Sequence, residues 1–222
     1  MIFGFPDLER KHLQEALQIG RVVTLLSPIE RFPVFTQTDV SGFDLQETIR
    51  ASKFFDQESR KTYMLGRLLL RSLLGELLGS EKVDVTYGPH GKPYCTNVSA
   101  PYFNLSHGGK WIGLSLCSET EVGLDLESLE RQLPYQKLAK RYFTETEYDR
   151  VLEEGKDAFM NIWVRKEACV KAQGKGITVP LSKVETDSDA WSYTELHPTP
   201  QLVGAVAYQA PFRDHTLILA TT

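Results

Sequence analysis

The strongest pattern in the sequence is a long amphipathic segment that runs from Glu58 to Gly79. Four leucines recur in it every four residues, with arginines between them: Leu65, Leu69, Leu73 and Leu77. This spacing places the leucines along one face of a helix that ends near a glycine, and it predicts that the face packs in a core. Because charged residues interrupt the apolar run, we expect a core helix and not one that spans a bilayer.

Several later segments have the short, β-branched or aromatic composition of strands bounded by turn residues: 83–87, 111–117, 121–127, 191–196, 202–208 and 215–220. Thr144 and Glu147 form the capping-box pattern of a helix start, and a further helix is predicted over 158–173, closed by Gly174. Helices and strands do not alternate regularly. The sequence therefore predicts an α+β fold.

Composition restricts the classes of function. The 222 residues are 41% hydrophobic and 24% charged, which is typical of a globular protein with one domain or two small ones. Since 29 acidic residues outnumber 25 basic ones, we expect no broad binding to nucleic acid or to an anionic membrane. Three scattered cysteines without zinc-site spacing and a start that lacks a signal-peptide pattern predict a reduced, cytoplasmic protein.

The segment GLDLE at 123–127 places two carboxylates on one face of a predicted strand. Asp125 and Glu127 point the same way, while Leu124 and Leu126 point to the other side. Such an alternation is also common on an ordinary strand with one solvated face. By itself it does not indicate a site.

The segment WVRKEACVK at 163–171 aligns Trp163, Glu167 and Lys171 along one stripe of a helix. An exposed Glu–Lys pair beside a tryptophan at the core boundary is the simpler interpretation of this segment alone. In combination, the carboxylates of Asp125, Glu127 and Glu167 predict a site for a hard divalent cation such as Mg²⁺. Lys171 would then be suited to bind a phosphate or to transfer a proton.

Two further segments, YGPHGKPY at 87–94 and FNLSHGG at 103–109, have the composition of a turn and a strand end. The glycines and prolines of the first segment mark a turn in which the backbone can approach a ligand closely, and Lys92 offers a cation at the edge of this turn. Ser106 and His107 are either a phosphate-binding pair or caps of a turn. A Ser–His nucleophile is disfavoured because adjacent residues of an extended chain point apart.

The ordered set of GKP at 91–93, FNLSH at 103–107, VGLDLE at 122–127, RYFTETEY at 141–148 and WVRKEACVKAQGKGI at 163–177 resembles the Sfp-type 4′-phosphopantetheinyl transferases of the holo-acyl-carrier-protein synthase superfamily. The resemblance covers about residues 50–180. It implies two similar α+β halves related by a pseudo-twofold axis, with coenzyme A in the cleft between them. The N-terminal half, 1–119, would hold the 3′-phosphate and adenine contacts, and the C-terminal half, 120–222, the metal site and catalytic helix.

The resemblance also implies roles for single residues. Asp125, Glu127 and Glu167 correspond to the ligands of Mg²⁺, Glu167 also to the base that deprotonates the acceptor, and Lys171 to a donor to phosphate or to the leaving group. The corresponding coenzyme A contacts are Ser106 and His107 for phosphate, the backbone around His90 and Lys92 for adenine, and Arg50 and Lys53 for the 3′-phosphate.

One position departs from the family pattern. An arginine followed by threonine or an aromatic residue is usual just before Gly66, whereas this chain has Thr62 and Tyr63. Arg60 or Lys61 either substitutes for the missing arginine or is a surface charge of the helix.

The activity implied by the resemblance is transfer of 4′-phosphopantetheine from coenzyme A to a serine of an acyl or peptidyl carrier protein by a monomeric enzyme, with release of 3′,5′-ADP. Because carrier proteins are acidic, Lys137, Lys140 and Arg141 are expected to form a docking patch. Two alternatives are a magnesium-dependent phosphohydrolase and a coenzyme A binding module without catalytic activity.

Overall fold

The computed structural model describes residues 10–32, 43–176, 179–184, 186, 190–209, 211 and 214–220. The α-helices within these residues are α1 (Arg10–Gln18), α2 (Leu45–Ser52), α3 (Gln57–Leu78), α4 (Tyr135–Tyr142), α5 (Glu145–Glu154) and α6 (Lys156–Gln173). The strands are β1 (Val22–Pro28), β2 (Val85–Tyr87), β3 (Pro93–Cys95), β4 (Tyr102–Gly108), β5 (Trp111–Cys117), β6 (Val122–Ser128), β7 (Trp191–Thr199), β8 (Leu202–Gln209) and β9 (His215–Leu219).

The leucine-rich helix predicted from the sequence is α3. It begins after Asp56, whose side chain accepts a hydrogen bond from the Ser59 N–H at 2.7 Å, and it ends at Gly79 in the left-handed region. Leu65, Leu69 and Leu73 lie fully buried in a cluster that also contains residues of β1 and β5, and Leu77 packs against this cluster partly buried. The predicted core helix is confirmed.

Two sheets share one strand order. In the first sheet, β4-β5-β1-β9, strand β1 pairs antiparallel with β5, the second strand of the β4–β5 hairpin. In the second sheet, β6-β8-β7, strand β6 pairs antiparallel with β8, the second strand of the β7–β8 hairpin. Along the chain, a long helix separates the first strand from the hairpin in each case: α3 in the first half and α6 in the second. The α+β fold is confirmed, and the repeated order is what two similar halves require.

The last strand crosses from one half of the sequence to the other. Although β9 follows β8 along the chain, it pairs in parallel with β1 in the first sheet. The second half of the chain therefore completes the sheet of the first half. The boundary between 119 and 120 stays a prediction, as does the pseudo-twofold axis.

Side chains of β4 join the two sheets. The Leu124 N–H donates to Asn104 Oδ1 at 2.9 Å, and the Leu126 N–H donates to Ser106 Oγ at 3.2 Å. At Gly108 a Cβ atom would lie 2.6 Å from the Leu126 backbone, so the two strands pass each other closely. This packing places FNLSH directly beside GLDLE.

Some elements were not predicted from the sequence, among them β1, β3 and the short helices α1, α2 and α4, and β4 was expected only as a strand end within 103–109. The composition of residues 27–41 predicts a loop. In the structure, Ser27 and Pro28 end β1, and Ile29–Arg31 form a 3-10 turn. Residues 33–41 of that expected loop lie outside the described residues. In the part of the chain that the structure describes, no helix is long and apolar enough to cross a membrane.

Candidate active site

Strand β6 presents two carboxylates to one opening of about 450 Å³, as the alternation predicted. The Asp125 side chain is only 8% exposed, and its Oδ1 accepts a hydrogen bond from Lys171 Nζ at 2.6 Å. Its other oxygen, Oδ2, is buried without a hydrogen-bond partner. Glu127 accepts from Arg131 Nη1 at 3.0 and 3.1 Å through its two oxygens.

Helix α6 lines a second, larger cleft of about 690 Å³ with Trp163, Glu167 and Lys171, so the predicted stripe faces a cavity. The helix lies directly on β6 because residue 123 is a glycine. A Cβ atom at Gly123 would collide with the backbone of Ala168 and Ala172. This close contact brings the helix carboxylate and ammonium to the level of Asp125.

Lys171 connects the two sheets at the centre of the site. Its ammonium donates to Ser106 Oγ of β4 at 3.1 Å, to the Leu124 carbonyl oxygen at 3.0 Å and to the Asp125 carboxylate. Ser106 is buried beside this ammonium, whereas the next residue, His107, is exposed. Both line the opening next to Asp125, and the opposite directions of their side chains fit the argument against a Ser–His nucleophile.

Burial dominates the electrostatics of the carboxylates. It raises the pKa of Asp125 to about 7, with Lys171 opposing the shift and the charges of Glu127 and Glu167 adding to it. Burial also raises the pKa of Glu167, again opposed by Lys171. Desolvation and the Lys171 ammonium lower the pKa of His107. Burial and the neighbouring carboxylates both disfavour the ionised form of Asp125, so a further positive charge beside it would be stabilising.

Among the described residues, no group of three or more His, Cys, Asp or Glu side chains has the arrangement of a metal site. Asp125 and Glu127 are instead paired with Lys171 and Arg131. These residues nevertheless fit a hard divalent cation, which prefers oxygen ligands. Asp125 Oδ2 is a buried carboxylate oxygen without a hydrogen-bond partner, and the carboxylates of Glu127 and Glu167 lie near enough to influence the charge of Asp125.

The opposite wall of the larger cleft comes from the first half of the chain and includes Arg50, His90 and Gly91. Arg50 lies with its guanidinium carbon 5.6 Å from the centre of the Tyr87 ring. Lys53 is exposed at the end of α2 and lines none of the described cavities. The structure thus brings Arg50 and His90 to Glu167 and Lys171, and leaves Lys53 outside.

Lys92 also lies in this wall, but its ammonium is already bound by protein groups. It donates to the carbonyl oxygens of Val122 at 3.0 Å and Ala172 at 2.9 Å, and it pairs with the Glu121 carboxylate. Its side chain is 15% exposed. Only the backbone of Lys92 is therefore available to a ligand.

A side pocket of about 240 Å³ opens between α2, α3 and the β2–β3 hairpin and contains Arg50, Thr62, Tyr63 and Arg67. Arg67 is 3% exposed; its Nε donates to Glu47 Oε1 at 2.5 Å, while its Nη2 is buried without a partner. The Tyr63 hydroxyl is buried without a partner too. Sequence reasoning missed Arg67, since no local pattern separates it from the other arginines of the leucine-rich helix.

Comparisons with known proteins cover both halves of this site. One family model, described as the 4′-phosphopantetheinyl transferase superfamily, matches residues 121–218, and another, described as 4′-phosphopantetheinyl transferase, N-terminal, matches residues 36–119. The 4′-phosphopantetheinyl transferase HetI of Nostoc sp. is 36% identical over 72% of this chain and 76% of its own length. The chain belongs to the 4′-phosphopantetheinyl transferase superfamily.

Two further members of the superfamily match over a smaller share of their length. The 4′-phosphopantetheinyl transferase Sfp of Bacillus subtilis is 31% identical over 60% of this chain and 60% of its own length. A relative from Synechocystis sp. is 33% identical over 68% of this chain and 65% of its own length. The resemblance to Sfp-type transferases that five ordered motifs indicated is confirmed.

Proposed function

We propose that this protein transfers 4′-phosphopantetheine from coenzyme A to a serine of an acyl or peptidyl carrier protein and releases 3′,5′-ADP. One observation carries the proposal: a single cleft of about 690 Å³ joins Arg50 and His90 of the first half to Glu167 and Lys171 of the second. A cleft of this size suits a nucleotide-sized ligand, and the side pocket extends it.

In the proposed reaction, the serine oxygen of the carrier forms a bond to the β-phosphorus of the pyrophosphate. The bond from that phosphorus to the bridging oxygen breaks, and its electron pair leaves with 3′,5′-ADP. Glu167 accepts the serine proton, a role that suits a carboxylate whose pKa is raised by burial. Lys171 donates to the phosphate or to the leaving group from its place between Ser106 and Asp125.

We further propose that Asp125, Glu127 and Glu167 hold Mg²⁺. The ion, when bound, screens the charge of the pyrophosphate and stabilises the leaving group. Before binding, the ammonium of Lys171 and the guanidinium of Arg131 neutralise Asp125 and Glu127.

The remaining contacts to coenzyme A are distributed over the opening beside Asp125, the larger cleft and the side pocket. Ser106 and His107 bind phosphate at the opening beside Asp125, and the backbone at His90 and Lys92 binds adenine. The 3′-phosphate binds in the side pocket, where Arg50 offers a charge and the buried Arg67 Nη2 and Tyr63 hydroxyl lack partners. Lys53 stays a prediction for this phosphate.

The acceptor docks beside helix α4. Lys137, Lys140 and Arg141 are exposed on this helix, and Arg141 with Tyr142 also lines the cleft. An acidic carrier would therefore meet positive charge at the entrance to the site. Reversing the three charges should lower the rate at subsaturating carrier; an unchanged rate contradicts this docking surface. The monomeric state and the cytoplasmic location stay predictions.

Intact-mass spectrometry of an apo carrier protein tests the proposed function. The carrier is incubated with this protein, coenzyme A and Mg²⁺, with a chelator as control. We expect a gain of one phosphopantetheine that the chelator abolishes. Breakdown of coenzyme A without modification of several carriers would indicate a phosphohydrolase, and binding without either reaction would indicate a coenzyme A binding module.

A further inference from the structure

The turn at 88–92 is tied to two elements of the other half through one side chain. Lys92 Nζ bonds to the carbonyl oxygen of Val122, the first residue of β6, and to that of Ala172 in the last turn of α6. The carbonyl groups in the last turn of a helix have no partner within the helix, and a cation there is also favoured by the helix dipole. Glu121 supplies the counter-charge.

Two glycines after α6 pack on the same turn. Gly174 ends the helix in the left-handed region, and a Cβ atom there would lie 3.2 Å from Lys92 Cδ. Gly176, also left-handed, would place a Cβ atom 3.5 Å from both the Cβ and the carbonyl oxygen of His90. The turn and the carboxyl end of α6 therefore lie in direct contact, with Lys92 bonded across the junction.

The junction lies close to the reacting groups. Ala172 follows Lys171 directly, and Glu167 lies five residues before it on the same helix. His90, Gly91, Glu167 and Lys171 all line one cleft. A displacement of the turn relative to α6 would change the distance between the groups that bind the nucleotide and the groups that act on its phosphates.

We propose that Lys92 is a positioning residue that locks the turn at 88–92 to the carboxyl end of α6. The turn then offers its backbone to the nucleotide end of coenzyme A at a fixed place relative to Glu167 and Lys171. This inference rests on the proposed function for the identity of the ligand. Without the ammonium, the turn is ordered only when coenzyme A binds, and the cost of that ordering reduces affinity.

Isothermal titration of coenzyme A into the full-length protein tests this proposal without requiring transfer. For Lys92→Met, which keeps the stem and removes the ammonium, we expect Kd to rise about tenfold. Lys92→Arg retains donors for the two carbonyl groups and should recover most of the affinity. The matched control is Lys82→Met, because Lys82 is 83% exposed and lies outside the cleft.

A purely structural role would lower Tm without changing the Kd of the folded protein, so wild-type affinity in Lys92→Met overturns the proposal. Hydrogen exchange supplies a second readout: amides of the turn, where Gly88 N–H bonds to Lys92 O and Gly91 N–H to Gly88 O, should exchange faster in this variant. Unchanged exchange there also contradicts the lock.

If Lys92→Met does not fold, Glu121→Gln decides, since Glu121 is exposed. We expect Kd about two- to threefold higher, and an unchanged Kd overturns the proposal. A failure of the proposed function is distinguishable from a failure of this inference. In that case the wild-type protein would bind coenzyme A without modifying any carrier, and the role of Lys92 would still be tested by the Kd for coenzyme A. Absence of coenzyme A binding by the wild type overturns both.

Discussion

The two halves use the same device to attach a short helix to the long one that follows it. In the first half, Glu47 is the third residue of α2; its N–H donates to Asp44 Oδ1 at 2.7 Å, and its Oε2 accepts from the Asp44 N–H at 3.1 Å. In the second half, Glu147 of α5 exchanges the same pair of bonds with Thr144, at 3.3 and 2.8 Å. Each glutamate also forms an ion pair with basic residues of the long helix.

The difference lies in which charge is buried. Glu47 is fully buried and accepts from Arg67 and Arg71 of α3, whereas Glu147 is 21% exposed and pairs with the fully buried Lys166 of α6 at 2.9 Å. Lys166 has two further acceptors, the carbonyl oxygens of Leu181 and Val184. Lys166 lines none of the described cavities although its side chain is fully buried, so burial of a charge alone does not identify the active site.

The largest effect is expected on the face of α6 that lines the larger cleft, where Glu167 lies. Glu167→Gln keeps the shape of the side chain and removes the base, so kcat should fall about 10²- to 10⁴-fold. The Kd for coenzyme A should change less than threefold. Steady-state transfer to an apo carrier and isothermal titration measure the two quantities.

Glu153→Gln, on the exposed surface of α5, is the matched control for that substitution and should leave both quantities unchanged. An unchanged kcat in Glu167→Gln would exclude the base role. Lys171 and Asp125 would then be the remaining candidates for the group that accepts the serine proton.

Glu47→Gln should have the next largest effect, on stability. It leaves two guanidinium groups near a neutral amide in a buried place, which costs about 3 kcal/mol of the free energy of unfolding. Urea denaturation at neutral pH measures this loss. Glu81→Gln, at an exposed position, is the control.

Glu147→Gln tests the second pair, in which only the lysine is fully buried. Lys166 would keep its two carbonyl acceptors and the carboxylate it loses is partly solvated, so the expected loss is about 1 kcal/mol. Equal losses in Glu47→Gln and Glu147→Gln would show that the difference in burial between the two pairs is energetically unimportant.

The first sheet differs from the second by the added strand β9, which brings a histidine into it. His215 Nε2 lies 2.9 Å from Thr24 Oγ1, and Thr24 Oγ1 lies 2.7 Å from Ser115 Oγ. Burial lowers the pKa of His215 to about 4, so its neutral form is favoured in the folded state. The stability that depends on this is present above pH 6.5 and is lost as pH falls from 6.5 to about 4.

The expected loss from this histidine is about 1–2 kcal/mol, because the side chain is only partly buried. It is measured as the difference in unfolding free energy between wild type and His215→Gln across this pH range. A difference that does not depend on pH would contradict the lowered pKa.

The smallest effect tests the side pocket of the first half. Tyr63→Phe removes one hydroxyl that lacks a protein partner and should weaken coenzyme A binding about three- to tenfold. Binding of dephospho-coenzyme A, which lacks the 3′-phosphate, should not change. Equal weakening for both ligands would place the 3′-phosphate elsewhere.

Much of the local structure was predictable from the sequence. The helix at α3, the capping box at Thr144 and Glu147, and the strands β5 and β6 follow from periodicity and from residues that end or begin elements, and these depend only on near neighbours. The alternation in GLDLE likewise determined that Asp125 and Glu127 share a face. The ordered motifs determined the family.

The contacts between these elements depend on the tertiary fold. Lys171 reaches Ser106, 65 residues away, and Lys92 reaches Ala172, 80 residues away. Neither contact has a local signal, because each requires β4 to lie beside β6 and α6 to lie on Gly123. The same holds for Arg67, which becomes a buried donor through the packing of α2 and α3. Local propensity determines the period of an element, whereas the partner of a charged side chain depends on which surfaces the packed elements bring together.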